Sequence, residues 1–140
     1  MADGSKKLIK NVKKGDMVQS LNGISQIKCV VKFKQSNKVC EICTLPNGLK
    51  ITPKHPIFYN GQWIFPKDVF TPKYESCEAV YNFIVDKNHT VVINGTPVIL
   101  LGHSYTHSIL KHDYLGSSKV INDLAQMPGF SFGFIEMDLS

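Results

Sequence analysis

Four Asn-Gly dipeptides punctuate the chain, at Asn22-Gly23, Asn47-Gly48, Asn60-Gly61 and Asn94-Gly95. Each lies between runs rich in Val, Ile, Phe or Tyr. A two-residue type I′ turn needs positive φ at both central positions, and Asn-Gly meets that need at little steric cost. Four such turns in 140 residues predict an all-β meander. The intervening runs read as strands: "LIKNV", "DMVQS", "GISQIKCVVKFK", "KVCEICTL", "GLKIT", "PIFYN", "QWIFP", "EAVYNFIV", "HTVVI" and "TPVILLG". In "SQIKCVVKF" strict alternation puts Ile27, Cys29, Val31 and Phe33 on one face. Short strands at regular spacing suggest a sandwich or a coiled, barrel-like sheet.

The texture changes after Gly102. "SSKVINDLAQM" has helical apolar spacing at Val120, Ile121, Leu124 and Met127, with Ser117 or Ser118 as cap and Pro128-Gly129 as stop. A helix is expected over about 118–127, followed by an aromatic tail that reads as a further strand. Residues 104–140 thus read as an appendage on a β core.

Hydrophobic residues make up 43% of the chain, enough for a core. No apolar run reaches membrane-spanning length, so no membrane association is expected. The net charge of +5 is mostly lysine. With no basic helix and no interleaved aromatic–arginine pattern, it reads as a solvated strand face rather than a nucleic-acid surface. Cys40 and Cys43 spell "CEIC", but residues three apart on a strand point to opposite faces. These cysteines therefore read as buried or half-buried strand thiols, not as a zinc or redox pair. The absence of an apolar leader, together with unpaired cysteines, predicts a cytoplasmic protein. No metal and no cofactor is expected; a metal site of His103, His107 and His112 is conceivable, but no ligand geometry supports it.

The chemistry points to "LPNGLKITPKHPIFYNGQWIFP". Thr52 and His55 lie three apart, each directly before a proline. Proline removes a ladder donor and pushes the residue before it to extended geometry. A bend at Pro53 would swing both side chains to one side. An imidazole and a hydroxyl converging on a backbone amide form a useful device, because amide nitrogen leaves only when protonated. A positioned histidine can contribute about 10²–10⁴-fold in this way.

"LKITPKHPIF" resembles the Thr-x-x-His block of Hint domains, the fold shared by inteins and the hedgehog autoprocessing domain. "LIKNVKKGDMVQS" is similar to a second Hint stretch, and "VYNFIVDKNHTVVINGTPV" to the closing block. The tail with "HDYLGSSKVINDLAQMPG" resembles that of Vint, the Hint variant found with von Willebrand factor type A domains. The resemblance implies an all-β Hint fold, a pseudo-two-fold β-meander of coiled sheets with a C-terminal appendage carrying one short helix. Residues 1–103 would form the Hint core and residues 104–140 the Vint-type extension.

In Hint domains an initial cysteine, sometimes serine, attacks the preceding carbonyl to give a thioester or ester. By resemblance His55 would protonate the departing amine and Thr52 would hold the strained peptide. His89 reads either as a second proton shuttle or as a turn histidine, and His103 either as assisting at the closing end or as packing at the strand end; Asn82 and Ser104 would support the site. This chain departs at both ends. No cysteine precedes Cys29, and Ser5 in its lysine-rich turn is a poor substitute. The core is therefore expected to lack its first strand and nucleophile and to be inactive as given. Inteins close with His-Asn; here His103-Ser104 has no side-chain amide to cyclise.

The expected activity is single-turnover self-processing of a larger multidomain protein, giving N-terminal cleavage or transfer rather than splicing. The partner would be an upstream domain of the same polypeptide, of von Willebrand factor A type, with the module itself monomeric. The alternative is a catalytically silent Hint-fold module used for protein contact.

Overall fold

A long strand that serves two cores organises the molecule. The computed structural model describes residues 9–35, 38–105, 109–110 and 116–139. Strand β1 (Met17–Ser20) forms a hairpin with the 13-residue β2 (Gly23–Gln35) through Leu21 and Asn22. β3 (Val39–Thr44) pairs with β4 (Lys50–Ile51) on one side and with β7 (Lys73–Ser76) on the other. β5 (Ile57–Tyr59) and β6 (Gln62–Ile64) join β9 (Thr90–Ile93) and β10 (Thr96–Ile99) in the order β6-β5-β10-β9. β8 (Ala79–Val85) runs antiparallel to β2. The sheets stay open rather than closing into a barrel.

β2 does not keep the single apolar face that alternation predicts. Its pairing with β8 slips between Ile27 and Cys29. The extra residue of such a bulge turns the following side chains over. Ile27 and Val30 therefore join one core with Val18, Phe83 and Val98, whereas Cys29 and Val31 join a second core with Ile84 and Leu101. On β8 the alternation holds, with Phe83 and Val85 facing the first core and Ile84 the second.

The second core is completed by the C-terminal extension. Helix α1 (Ser118–Ala125) starts at Ser117, whose hydroxyl accepts the Lys119 N–H. That hydrogen bond satisfies one of the helix's unpaired N–H groups. Val120 and Leu124 bury against Cys29, Val31 and Ile84. Each such side chain contributes about 1.5–3 kcal/mol on burial. A 3-10 turn at Phe130–Phe132 then leads into β11 (Phe134–Leu139), which runs parallel to β2 from Val30 to Gln35. Gly102, at φ +69°, lies where a β-carbon would collide with Ile121 of this region, so the helix sits directly against the chain entering His103.

Four expectations need correction. Ile9–Asn11, expected within a strand, is a 3-10 turn, closed locally by Val12 N–H to Ile9 C=O at 3.2 Å. β7, too polar to stand out in the sequence, is the edge partner of β3. Only Asn60-Gly61 and Asn94-Gly95 form hairpin turns with both φ positive. At Asn47-Gly48 the asparagine side chain is the fastener: its Nδ2 donates to Asn94 O at 2.9 Å and Thr96 Oγ1 at 2.7 Å. Finally, Cys40 is not a free thiol. It is disulfide-bonded to Cys77, with the two Cα atoms 5.6 Å apart. The opposite-face argument holds for Cys43, which is buried away from that bond and free, as is Cys29.

The disulfide closes a loop with a sequence separation of 37. Replacing Cys40 and Cys77 together by serine should cost about 2–4 kcal/mol, read from urea unfolding; an unchanged midpoint would show that the bond does not form. Leu124→Ala should cost about 2–5 kcal/mol in the same assay, because it empties part of a closed core.

Candidate active site

The Thr52–His55 segment is a β-turn, not a bent strand. The His55 N–H donates to Thr52 C=O at 3.2 Å, with Pro53 at the position where its fixed φ suits a turn. Two further hydrogen bonds pin the turn: Lys67 N–H to Pro53 C=O at 3.1 Å and Ile99 N–H to Pro56 C=O at 3.2 Å. Thr52 and His55 thus come to line one cavity of about 430 Å³, together with Asn82 and His103. Phe65, Ile99 and Leu100 supply apolar walls.

The protons on both histidines can be placed. His55 Nε2 lies 2.6 Å from the Ile99 carbonyl oxygen. A carbonyl only accepts, so Nε2 carries the hydrogen and Nδ1 holds the lone pair of the neutral ring. Loss of hydration pushes the His55 pKa below its ordinary value of 6.5, against the smaller upward pull of the Ile99 carbonyl. His103 is the mirror case. Its Nδ1 accepts the Tyr105 N–H at 2.9 Å, so in the neutral ring Nε2 is protonated. The ring is 7% exposed and stacks on Tyr105 at a centroid distance of 5.2 Å.

Asn82 sits on β8 where that strand faces the cavity. Its Oδ1 accepts the Phe83 N–H at 2.8 Å, which fixes the amide orientation. What it offers a ligand is therefore its NH₂ donor group. The cavity combines one basic nitrogen with donors suited to an oxygen bearing negative charge.

His89 and Ser104 lie outside this group. His89 occupies a turn at φ +44°, its carbonyl accepting the Leu100 N–H at 2.8 Å, and it does not line the cavity. Its Nδ1 is buried with no hydrogen-bond partner. Ser104, at φ +58°, is exposed and acts through its backbone, donating to Gly116 C=O at 2.7 Å. Ser5, His107 and His112 lie outside the described residues. No group of three or more metal-ligating side chains occurs among the described residues. Cys29 and Cys43 are buried, and burial is the main cause raising the pKa of each thiol, so neither is a ready nucleophile. Sequence reasoning missed the cavity residues Lys54, Ile109 and Leu110. Only the "TPKHP" spacing pointed toward Lys54, and nothing pointed to the other two.

Because the folded pKa of His55 is depressed, the unfolded chain binds the extra proton as pH falls below 6.5. The stability contributed by the neutral ring is complete above that pH and is lost on acidification through it. Thermal midpoints should therefore fall from pH 7.5 to about 5.5, and His55→Gln should flatten that slope. An equal slope in the variant would place the effect elsewhere. Glu75 and Asp86 are held below their ordinary values of 4.5 and 3.8, mainly by hydrogen bonds to Lys50 and to the Gln26 N–H, and titrate in a more acid range.

A crystal structure of the gp41-1 intein is similar, with 21% identity over 66% of this chain and 86% of the intein, at a TM-score of 0.46. A substituted form of the same intein gives 19% identity over 66% and 87%, at 0.44. No curated protein matches the chain. The Vint model, described as a Hint domain, matches residues 1–138, and the chain therefore belongs to the Vint family of Hint domains.

Proposed function

We propose that this domain processes the polypeptide that carries it, by one acyl shift at a peptide bond on its N-terminal side. The observation that carries the reading is the shared cavity of Thr52 and His55, with the imidazole neutral and its Nδ1 carrying the lone pair. Both described free thiols are buried and neither is the attacking group; a thiol or hydroxyl on the N-terminal side of the domain would attack. Its sulfur or oxygen would bond to the scissile carbonyl carbon and its proton would pass to His55 Nδ1. The same nitrogen would return that proton to the amide nitrogen as the carbon–nitrogen bond breaks, leaving a thioester or ester. The Asn82 NH₂ would stabilise the charged oxygen, with His103 assisting from the same cavity. Thr52 would hold the strained peptide in register.

A second nucleophile would then take the acyl group, releasing the upstream protein. Splicing is not proposed: Ser104 follows His103 and cannot form a succinimide. The released partner would be a preceding domain of von Willebrand factor A type, as the Vint resemblance implies. The cytoplasmic expectation rested on unpaired cysteines; with Cys40 and Cys77 joined, we favour an oxidising compartment.

The experiment is a fusion carrying a reporter, the natural upstream segment and this domain, treated with hydroxylamine. Release of the reporter at the junction is expected, and His55→Ala should slow it by about 10²–10⁴-fold. Thr52→Ala should slow it less. Equal release from wild type and His55→Ala, or none from wild type, would defeat the proposal and favour a silent Hint-fold contact module.

A further inference from the structure

The cavity beside His55 has two kinds of wall. One comes from the β core: the Thr52–His55 turn, Phe65, and the end of β10 with Leu100 and Leu101. The other comes from the chain after His103, through Ile109, Leu110 and Gly116. Ser104, in the left-handed region, turns the chain away from β10. Its N–H then meets the Gly116 carbonyl at 2.7 Å, so residues 104 and 116 close a loop at its neck. Beyond the neck, Ser117 caps α1, and α1 is buried in the second core. The neck is anchored on both sides.

Within that loop Leu110 is only 4% exposed. A surface connection has no need of a leucine buried that deeply. Leu110 lines the cavity that holds His55 and His103, together with Ile99 and Leu100.

We infer that Ile109, Leu110 and Gly116 form a water-excluding wall of the His55 cavity, with Leu110 as its positioning residue. Its use rests on the proposed acyl shift. Hydrolysis of the intermediate would join a water oxygen to the acyl carbon and break the carbon–sulfur or carbon–oxygen bond, the departing group taking a water proton. A wall that keeps water scarce holds the intermediate for another nucleophile. Leu110 thereby sets the ratio of transfer to hydrolysis, and the extension is part of the reaction site rather than an attachment to it.

The wall is tested on the chain itself with diethylpyrocarbonate at pH 7.5, which acylates neutral imidazoles, following each histidine by peptide mass spectrometry. His55 should react slowly in the wild type, and Leu110→Ala should speed it by about tenfold or more as water and reagent gain access. His89, outside the cavity, should keep its rate, and Leu110→Met should restore protection. An unchanged His55 rate, or equal acceleration of His55 and His89, would overturn the wall. If Leu110→Ala loses amide NMR dispersion, Ile109→Ser is read by the same criteria. In the reporter fusion, Leu110→Ala should raise hydrolysis relative to hydroxylamine transfer. Protection of His55 with no cleavage in any fusion would sustain the wall while defeating the acyl-shift proposal.

Discussion

A single slip in strand pairing sets up most of this molecule. β2 and β8 run together for most of their length, but the register shifts between Ile27 and Cys29. Without that shift, alternation would commit Ile27, Cys29, Val31 and Phe33 to one face, and the chain would need only one core. With it, Ile27 and Val30 serve the core shared with the hairpins, and Cys29 and Val31 serve a second one. A two-core strand demands a second layer, and the C-terminal extension provides it. α1 covers the second core while β11 pairs alongside β2. The same sheet carries Asn82 on β8 to the cavity.

The site is a consequence of two folded-back segments meeting. One is the proline-flanked turn, held by the Thr52–His55 bond and fixed to neighbouring backbone at Pro53 and Pro56. The other is the end of β10, whose Ile99 carbonyl orients His55 and whose continuation carries His103. The two imidazoles are set in opposite senses by backbone partners: Ile99 takes the proton of one, and the Tyr105 amide occupies the lone pair of the other. In the neutral rings His55 keeps its lone pair on Nδ1 and His103 carries its hydrogen on Nε2. That division follows from which ring nitrogen meets a carbonyl and which meets an N–H.

The disulfide joins β3 to the segment just before β8. β3 pairs with β4, which leads directly into Thr52, and β8 carries Asn82. Cys40–Cys77 therefore ties together the two stretches of chain that carry Thr52 and Asn82 to the cavity. Its place in the fold is remote from the imidazoles but continuous with the elements that hold them.

Local chemistry in the sequence determined the β class, the hairpin turns at Asn60-Gly61 and Asn94-Gly95, the Ser117-capped helix and the Thr52/His55 pair worth watching. Each depends on residues within a few positions of one another, through turn conformation, capping or proline geometry. Tertiary structure alone decided the rest. Asn47 became a clamp on a distant hairpin because its amide meets Asn94 and Thr96. Cys40 found Cys77 across a strand pair whose polar member carried no signature. His89 fell outside the cavity and Leu110 within it. Such outcomes depend on which surfaces meet after the sheets twist and slip, and a period-two pattern cannot encode a bulge that changes the face of every residue after it.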